Sequence, residues 1–285
     1  MLPIKNKLTF AYALSGLLAV VLLISSVAGL LYGGHGLYEP YPASLAGLVG
    51  QDAITLAVGL PLLFASVWLT ARGSTSGLLL WTGVLFYFAY SYYFYVIGGF
   101  NALFLLYVAI VSTSLFGMLS LLFAIDPNSL KARFGARTPT RLVGGFQIGY
   151  SLLFALMWVG LTLASVVAGK PLDEVTHAVV AIDLTVLLPL LFFGGVWLWR
   201  RRPWGYVLGG LLLAKLATTG LTLAFTTALG TWWARAIDPF DAFLFVLFAL
   251  MAIGATALIV PYLRGIEEGG QKPTLAGREV RGGSG

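Results

Sequence analysis

Asp183 and Lys215 lie inside runs that are otherwise apolar enough to cross a bilayer. Ionisable groups at that depth are costly, and they mark cavities, ion pairs or proton pathways. A carboxyl and an ammonium sharing one hollow can bind a polar group or exchange a proton. In an intramembrane enzyme, Asp183 would serve as acid and base while Lys215 stabilised developing negative charge. Lys215 stands at the foot of a stripe formed by Thr219, Thr222 and Thr226. Spacings of four, three and four put these residues on one helical face, as in one wall of an outward-opening cavity. The alternative is that the threonines bond back to their own helix carbonyls and pack against a neighbour. The two charged spans are joined by a short turn at 200–203 and are antiparallel neighbours. At 1.5 Å per residue, Asp183 lies roughly 12 Å and Lys215 roughly 20 Å below the outer helix ends. Direct pairing therefore requires tilt, a bend near Pro189 or a bridging water.

Other residues could join them. Tyr87 and Tyr90 are placed deep enough to line a pocket. Asp52, at the start of a span, is either an N-cap or a site residue. His177 lies one turn or so above Asp183 and could titrate with it. Asp173, Glu174, Asp238 and Asp241 cluster at outer span ends, where acids usually cap helices. Gln147, Ser151, Trp158, Thr162 and Ser165 read as one packing face, and Gly205 with Gly209 as a small-xxx-small contact. No tight Asp/His spacing supports a metal site. There is no cysteine, hence no disulfide or thiolate chemistry, and no nucleotide loop or haem ligand pair points to a cofactor.

The elements that must hold these groups follow from composition. The 285 residues are 59% hydrophobic and 10% charged, with a mean hydropathy of +0.92. Runs of about twenty apolar residues match a hydrocarbon core of about 30 Å. An all-α polytopic membrane protein is expected, with eight spans at 9–32, 53–71, 78–97, 102–124, 143–168, 175–199, 204–228 and 241–263. Fourteen of the 17 basic residues fall on one side: Lys5, Lys7, Arg72, Lys131, Arg133, Arg137, Arg141, Arg200, Arg201, Arg202, Arg264, Lys272, Arg278 and Arg281. Lys170 and Arg235 fall on the other. The positive-inside rule places both termini in the cytoplasm of a cell-membrane protein. The first run lacks a small-residue cleavage site and reads as a retained span. The net charge of +6 follows from this topology and is no nucleic-acid signature.

The chain also repeats itself. Pro61-Leu62-Leu63-Phe64 returns as Pro189-Leu190-Leu191-Phe192, an offset of 128. Val27-Ala28-Gly29 and Phe100-Asn101-Ala102 return at Val167-Ala168-Gly169 and Phe240-Asp241-Ala242, an offset of 140. Two parallel four-helix repeats, 1–126 and 143–266, are expected around a basic linker, 127–142, with a flexible tail from 267 to 285. Sites in such duplicated proteins tend to lie at the repeat interface. Lys215 aligns with Tyr87, Asp183 with Thr55, and Asn101 with Asp241. The Gly/Pro-rich segment 33–50 argues against a long helix and suggests a loop over the outer mouth.

Gly50-Gln51-Asp52, Pro61-Leu62-Leu63 and Phe86-Tyr87-Phe88-Ala89-Tyr90-Ser91-Tyr92 resemble a family of uncharacterised bacterial multi-pass membrane proteins, with no activity to transfer. Asp183-Leu184-Thr185-Val186-Leu187-Leu188-Pro189 is similar to the second helix of EXPERA-type four-helix membrane proteins, which include sterol isomerases. That resemblance implies a four-helix unit with an acid facing a lipid-accessible cavity. The first repeat departs from it, with Thr55 at the acid position. A retinal Schiff base does not fit, because Lys215 is on the penultimate of eight spans and not the last of seven. Three functions are consistent with these residues. The first is a transporter or ligand-binding protein taking a small polar or amphipathic ligand at a cavity around Asp183 and Lys215. The second is an intramembrane enzyme on a lipid-like substrate. The third is an assembly subunit locked by an ion pair.

Overall fold

The computed structural model describes residues 2–38, 45–98, 100–236 and 238–267. The segment 39–44, expected over the outer mouth, and the tail 268–285 lie outside the described residues. Every predicted span is helical. α1 (Thr9–Tyr32) runs into a wide irregular turn at Gly33–Leu37. α2 (Leu45–Ile54) and α3 (Leu60–Ala71) form one rod, interrupted by a π-helical turn, π1 (Thr55–Gly59). α4 (Thr75–Ile97), α5 (Phe104–Ala124) and the short α6 (Pro127–Lys131) follow. α7 (Thr140–Ala168) leads to a second interrupted rod, α8 (Glu174–Ile182), π2 (Asp183–Leu187) and α9 (Leu188–Trp199). α10 (Pro203–Ala234) and α11 (Pro239–Arg264) complete the bundle.

Among the described residues, seven helices are long and apolar enough to cross a membrane. The eighth expected span, α4, is not among them. Tyr87, Tyr90, Tyr92, Tyr93 and Tyr95 lower its hydropathy, and most of its length is buried. It sits at the centre against α10 instead of facing lipid. Exposed Leu17, Leu31, Phe116, Leu156, Val167 and Ile253 clothe the outer faces of the peripheral helices.

Two expected boundaries move. The second expected span begins at Leu45 and not at 53, so part of the anticipated 33–50 loop is helix. The glycines that argued against it serve packing: a Cβ at Gly50 would lie 2.8 Å from Thr226 Cγ2 on α10. α10 runs on to Ala234, beyond the expected 228.

Both π turns have the same sequence reason. Each is followed by Leu-Pro, at Leu60-Pro61 and Leu188-Pro189. Proline has no N–H for the preceding turn, so the ladder widens there. Other features recur at the same offset of 128. Arg72, Gly73 and Ser74 donate to Trp68, Thr70 and Leu69 carbonyls, and Arg200, Arg201 and Arg202 donate to Val196, Leu198 and Trp197. Gly73 and Arg201 hold the same left-handed conformation, at φ 87° and 52°. At the basic end, Ile4 bridges Ile125 and Phe134 bridges Ile266. In each case a segment before the first helix of a half is stitched to the residues after its last.

The two central helices cross where Gly83 of α4 meets Leu211 of α10, 128 residues on. A Cβ at Gly83 would lie 2.5 Å from the Leu211 carbonyl oxygen, so only glycine permits this approach. The halves differ at the periphery: α1 packs on α5, whereas α7 packs on α9 and touches α11 only lightly. Asn101 accepts from the Leu103 amide at 2.9 Å as Asp238 accepts from Phe240 at 2.7 Å.

Candidate functional site

Asp183 opens π2, where the wide turn sets its carboxyl against two neighbours. The Tyr90 hydroxyl of α4 donates to Oδ1 at 2.7 Å, and the Trp158 indole of α7 donates to Oδ2 at 2.8 Å. Lys215 comes from the middle of α10 and is 1% exposed. Its Nζ stands 3.6 Å from the centre of the Tyr90 ring and 6.0 Å from that of Phe86. Among the described residues, no carboxylate lies within 4.0 Å of that ammonium and no acceptor hydrogen-bonds it. Tyr90 thus joins the two charges, its hydroxyl on one and its ring face under the other. A side chain, Tyr90, stands in the expected gap between them.

Both charges line one cavity of about 360 Å³. It extends to the end of the bundle where α2 and α8 begin, opposite the basic end. Thr219, Thr222 and Thr226 climb one wall. Thr222 donates to the Thr218 carbonyl and hydrogen-bonds Tyr87, each at 2.9 Å. Thr226 donates to the Leu223 carbonyl at 3.0 Å. Thr219 Oγ1 has no partner. The cavity lies between α4 and α10 on one side of their crossing, and residues 128 apart line it together: Gln51 with Val179, Ser91 with Thr219, Tyr95 with Leu223. A wider surface hollow of about 850 Å³ between the ends of α10 and α11 holds Arg235 and Asp241. It contains none of the buried ionisable groups.

Three site expectations are corrected. Tyr87 does not line the cavity. It is fully buried behind the wall, where it receives Gln51 Nε2 at 2.8 Å and ties α2 to α10 through Thr222. His177 is exposed and does not border the cavity. Asp52 is no N-cap, since it lies near the end of α2 and is 0% exposed. Its Oδ2 accepts from the Tyr38 hydroxyl at 2.6 Å, and its Oδ1 has no partner. Gly29 of α1 leaves the room this carboxyl occupies.

The terminal acids behave as caps where described. Asp173 accepts from the Thr176 amide at 3.0 Å, and hydrogen bonding to Thr176 holds its carboxyl below the usual carboxylate value. Of the α7 face, Gln147 and Ser151 donate to the Gly209 and Leu188 carbonyls, as packing predicts. Trp158 does more, and with Tyr150 and Phe154 it lines the cavity. The spacing of these three aromatics, four and four, was a face signal available in the sequence. Among the described residues, no cluster of His, Asp and Glu could hold a metal.

Fold and site together define a polytopic helical membrane protein with a polar hollow in its interior. Comparison of the chain with protein-family models, curated proteins and solved structures gave no match.

Proposed function

We propose that the chain is a transporter or ligand-binding membrane protein, built from two parallel four-helix repeats. In this reading α4 completes eight spans, both termini are cytoplasmic, and an outward-opening cavity takes a small polar or amphipathic ligand at Asp183 and Lys215. The observation that carries the proposal is that both charges border one hollow without pairing with each other. Water-filled or ligand-filled cavities are where such residues persist in membranes. The recurrence of turns, bridges and π segments supports duplication, and a hollow lined by both α4 and α10 fits a site between repeats. The basic residues gather at the end away from the cavity, which supports its opening to the outside. The separation of the charges favours this reading over a helix-locking ion pair.

The natural absence of cysteine makes the test direct. Single cysteines are placed at Thr226 and Thr222 on the wall and at Leu211 in the crossing. Membrane-impermeant thiol reagents applied to intact cells should label the first two and spare the third. Protection of Thr226→Cys and Thr222→Cys from outside, or their labelling only from the cytoplasmic face, would remove the proposed cavity.

A further inference from the structure

Two groups on the cavity floor that can donate hydrogen bonds have no acceptor. The Lys215 ammonium offers three N–H donors and finds only a ring face. The Thr219 hydroxyl, one turn further along the same face, is buried and unpartnered. The acid beside them is already served, since each Asp183 oxygen accepts a hydrogen bond. The cation on the floor therefore lacks an acceptor, and the Thr219 hydroxyl is free to donate beside it. A buried ammonium without an acceptor is destabilising in proportion to its desolvation, and a ligand supplying negative oxygen would relieve it.

Resting on the ligand-binding reading above, we infer that the cavity recognises a small monocarboxylate with an aromatic or branched apolar body. Its two oxygens take donors from Lys215 and Thr219. Phosphate is disfavoured, because one lysine is the only cation lining the described cavity and Asp183 stands across Tyr90 from it. The body is set by the walls, where Phe154, Trp158, Phe94, Phe248 and Leu187 surround the polar floor. An engineered apolar cavity of about 150 Å³ accepts one benzene, so about 360 Å³ accepts a substituted ring with its head group. Cations are rejected by Lys215 itself.

The test uses the purified full chain in nanodiscs and three probes with one body and different heads: benzoate, benzyl alcohol and benzylamine. Calorimetry should show benzoate binding about ten-fold or more tightly than the alcohol, as expected for a hydrogen bond to a charged group, with no binding of the amine. Lys215→Met should abolish the preference and Lys215→Arg should retain it. Thr219→Val, a near-isosteric change, should weaken benzoate alone, which keeps the proposal exposed if Lys215→Met does not fold. Equal binding of acid and alcohol, or preference for the amine, would overturn the inference and leave the ligand cavity standing. So would failure of all three probes while Thr226→Cys is still labelled from outside. Absence of that labelling strikes the underlying reading.

Discussion

Replacing Tyr90 with phenylalanine removes one oxygen and keeps the ring, which separates the two roles this residue holds. The hydroxyl donates to Asp183 at 2.7 Å, and the ring carries Lys215 at 3.6 Å. A hydrogen bond to a charged group contributes about 1.5–3 kcal/mol, so Tyr90→Phe should destabilise the chain by that amount. The cation–π contact, about 0.5–2 kcal/mol, should survive it. Tyr90→Leu loses both and should cost about 2–5 kcal/mol. Double-mutant cycles then locate each energy. Tyr90→Phe should couple to Asp183→Leu by about 1 kcal/mol or more, yet add to Lys215→Met within about 0.5 kcal/mol. Tyr90→Leu should couple to both. Reversible unfolding of the purified protein in mixed micelles measures all of these. The reasoning fails if Tyr90→Phe is neutral, or if its coupling to Lys215 equals its coupling to Asp183.

Three further outcomes follow from close contacts and backbone geometry. Gly29→Ala drives a methyl into Asp52 and the Tyr38 hydroxyl, whereas Gly16→Ala on the same helix meets nothing within 4 Å. Overpacking costs about 1–3 kcal/mol and helix propensity returns at most about 1 kcal/mol, so thermal unfolding should show the first variant destabilised and the second slightly stabilised. Arg201 holds φ 52° where its counterpart is Gly73. The left-handed conformation costs a non-glycine about 1–2 kcal/mol and the more flexible unfolded chain offsets part of that, so Arg201→Gly should stabilise by about 0.5–1 kcal/mol in the same assay. Asp173 has a carboxyl held below its usual value by Thr176. A depressed acid contributes fully above its unfolded value and is lost as pH falls through the folded one. Hydrogen exchange at the Thr176 amide should therefore lose protection on acidification below about pH 4, and an unchanged protection factor would refute the cap.

Span positions were legible because twenty-residue apolar runs have few alternatives. The facing of side chains was only partly legible. Asp183 and Lys215 stand out by type alone, and the residues four and seven before Asp183, Val179 and Thr176, share its face and border the cavity. His177 is six residues away, which at about 100° per residue puts it on another face, as its exposure confirms. Tyr87 and Tyr90 are three apart and equally deep. Which of them meets the hollow depended on how α4 crosses α10, and that crossing is set by a backbone contact at Gly83 which no local pattern reports. Trp158 was read as packing because its partner lies 25 residues away on another rod. The start of α2 was hidden by its glycines, of which Gly50 serves the approach to Thr226.

In the proposed duplication, the aligned polar positions of the two halves are satisfied differently. Thr55 and Tyr87 stand where the second half has Asp183 and Lys215. In the first half a single side chain closes that pair: Gln51 Nε2 donates to Thr55 Oγ1 at 3.2 Å and to Tyr87 at 2.8 Å. Neutral groups satisfied by one amide leave no deficit for a ligand to meet. For Asp183 and Lys215 the joining side chain is Tyr90 of α4, which satisfies the acid but offers the lysine only its π face. The two pairs thus end differently: Thr55 and Tyr87 form a sealed polar contact through Gln51, whereas Lys215 is left an unsatisfied cation beside a hollow. Since an unpaired buried charge costs far more than an unpaired hydroxyl, the asymmetry concentrates the drive for ligand binding on Lys215, although the walls of the cavity come from both halves.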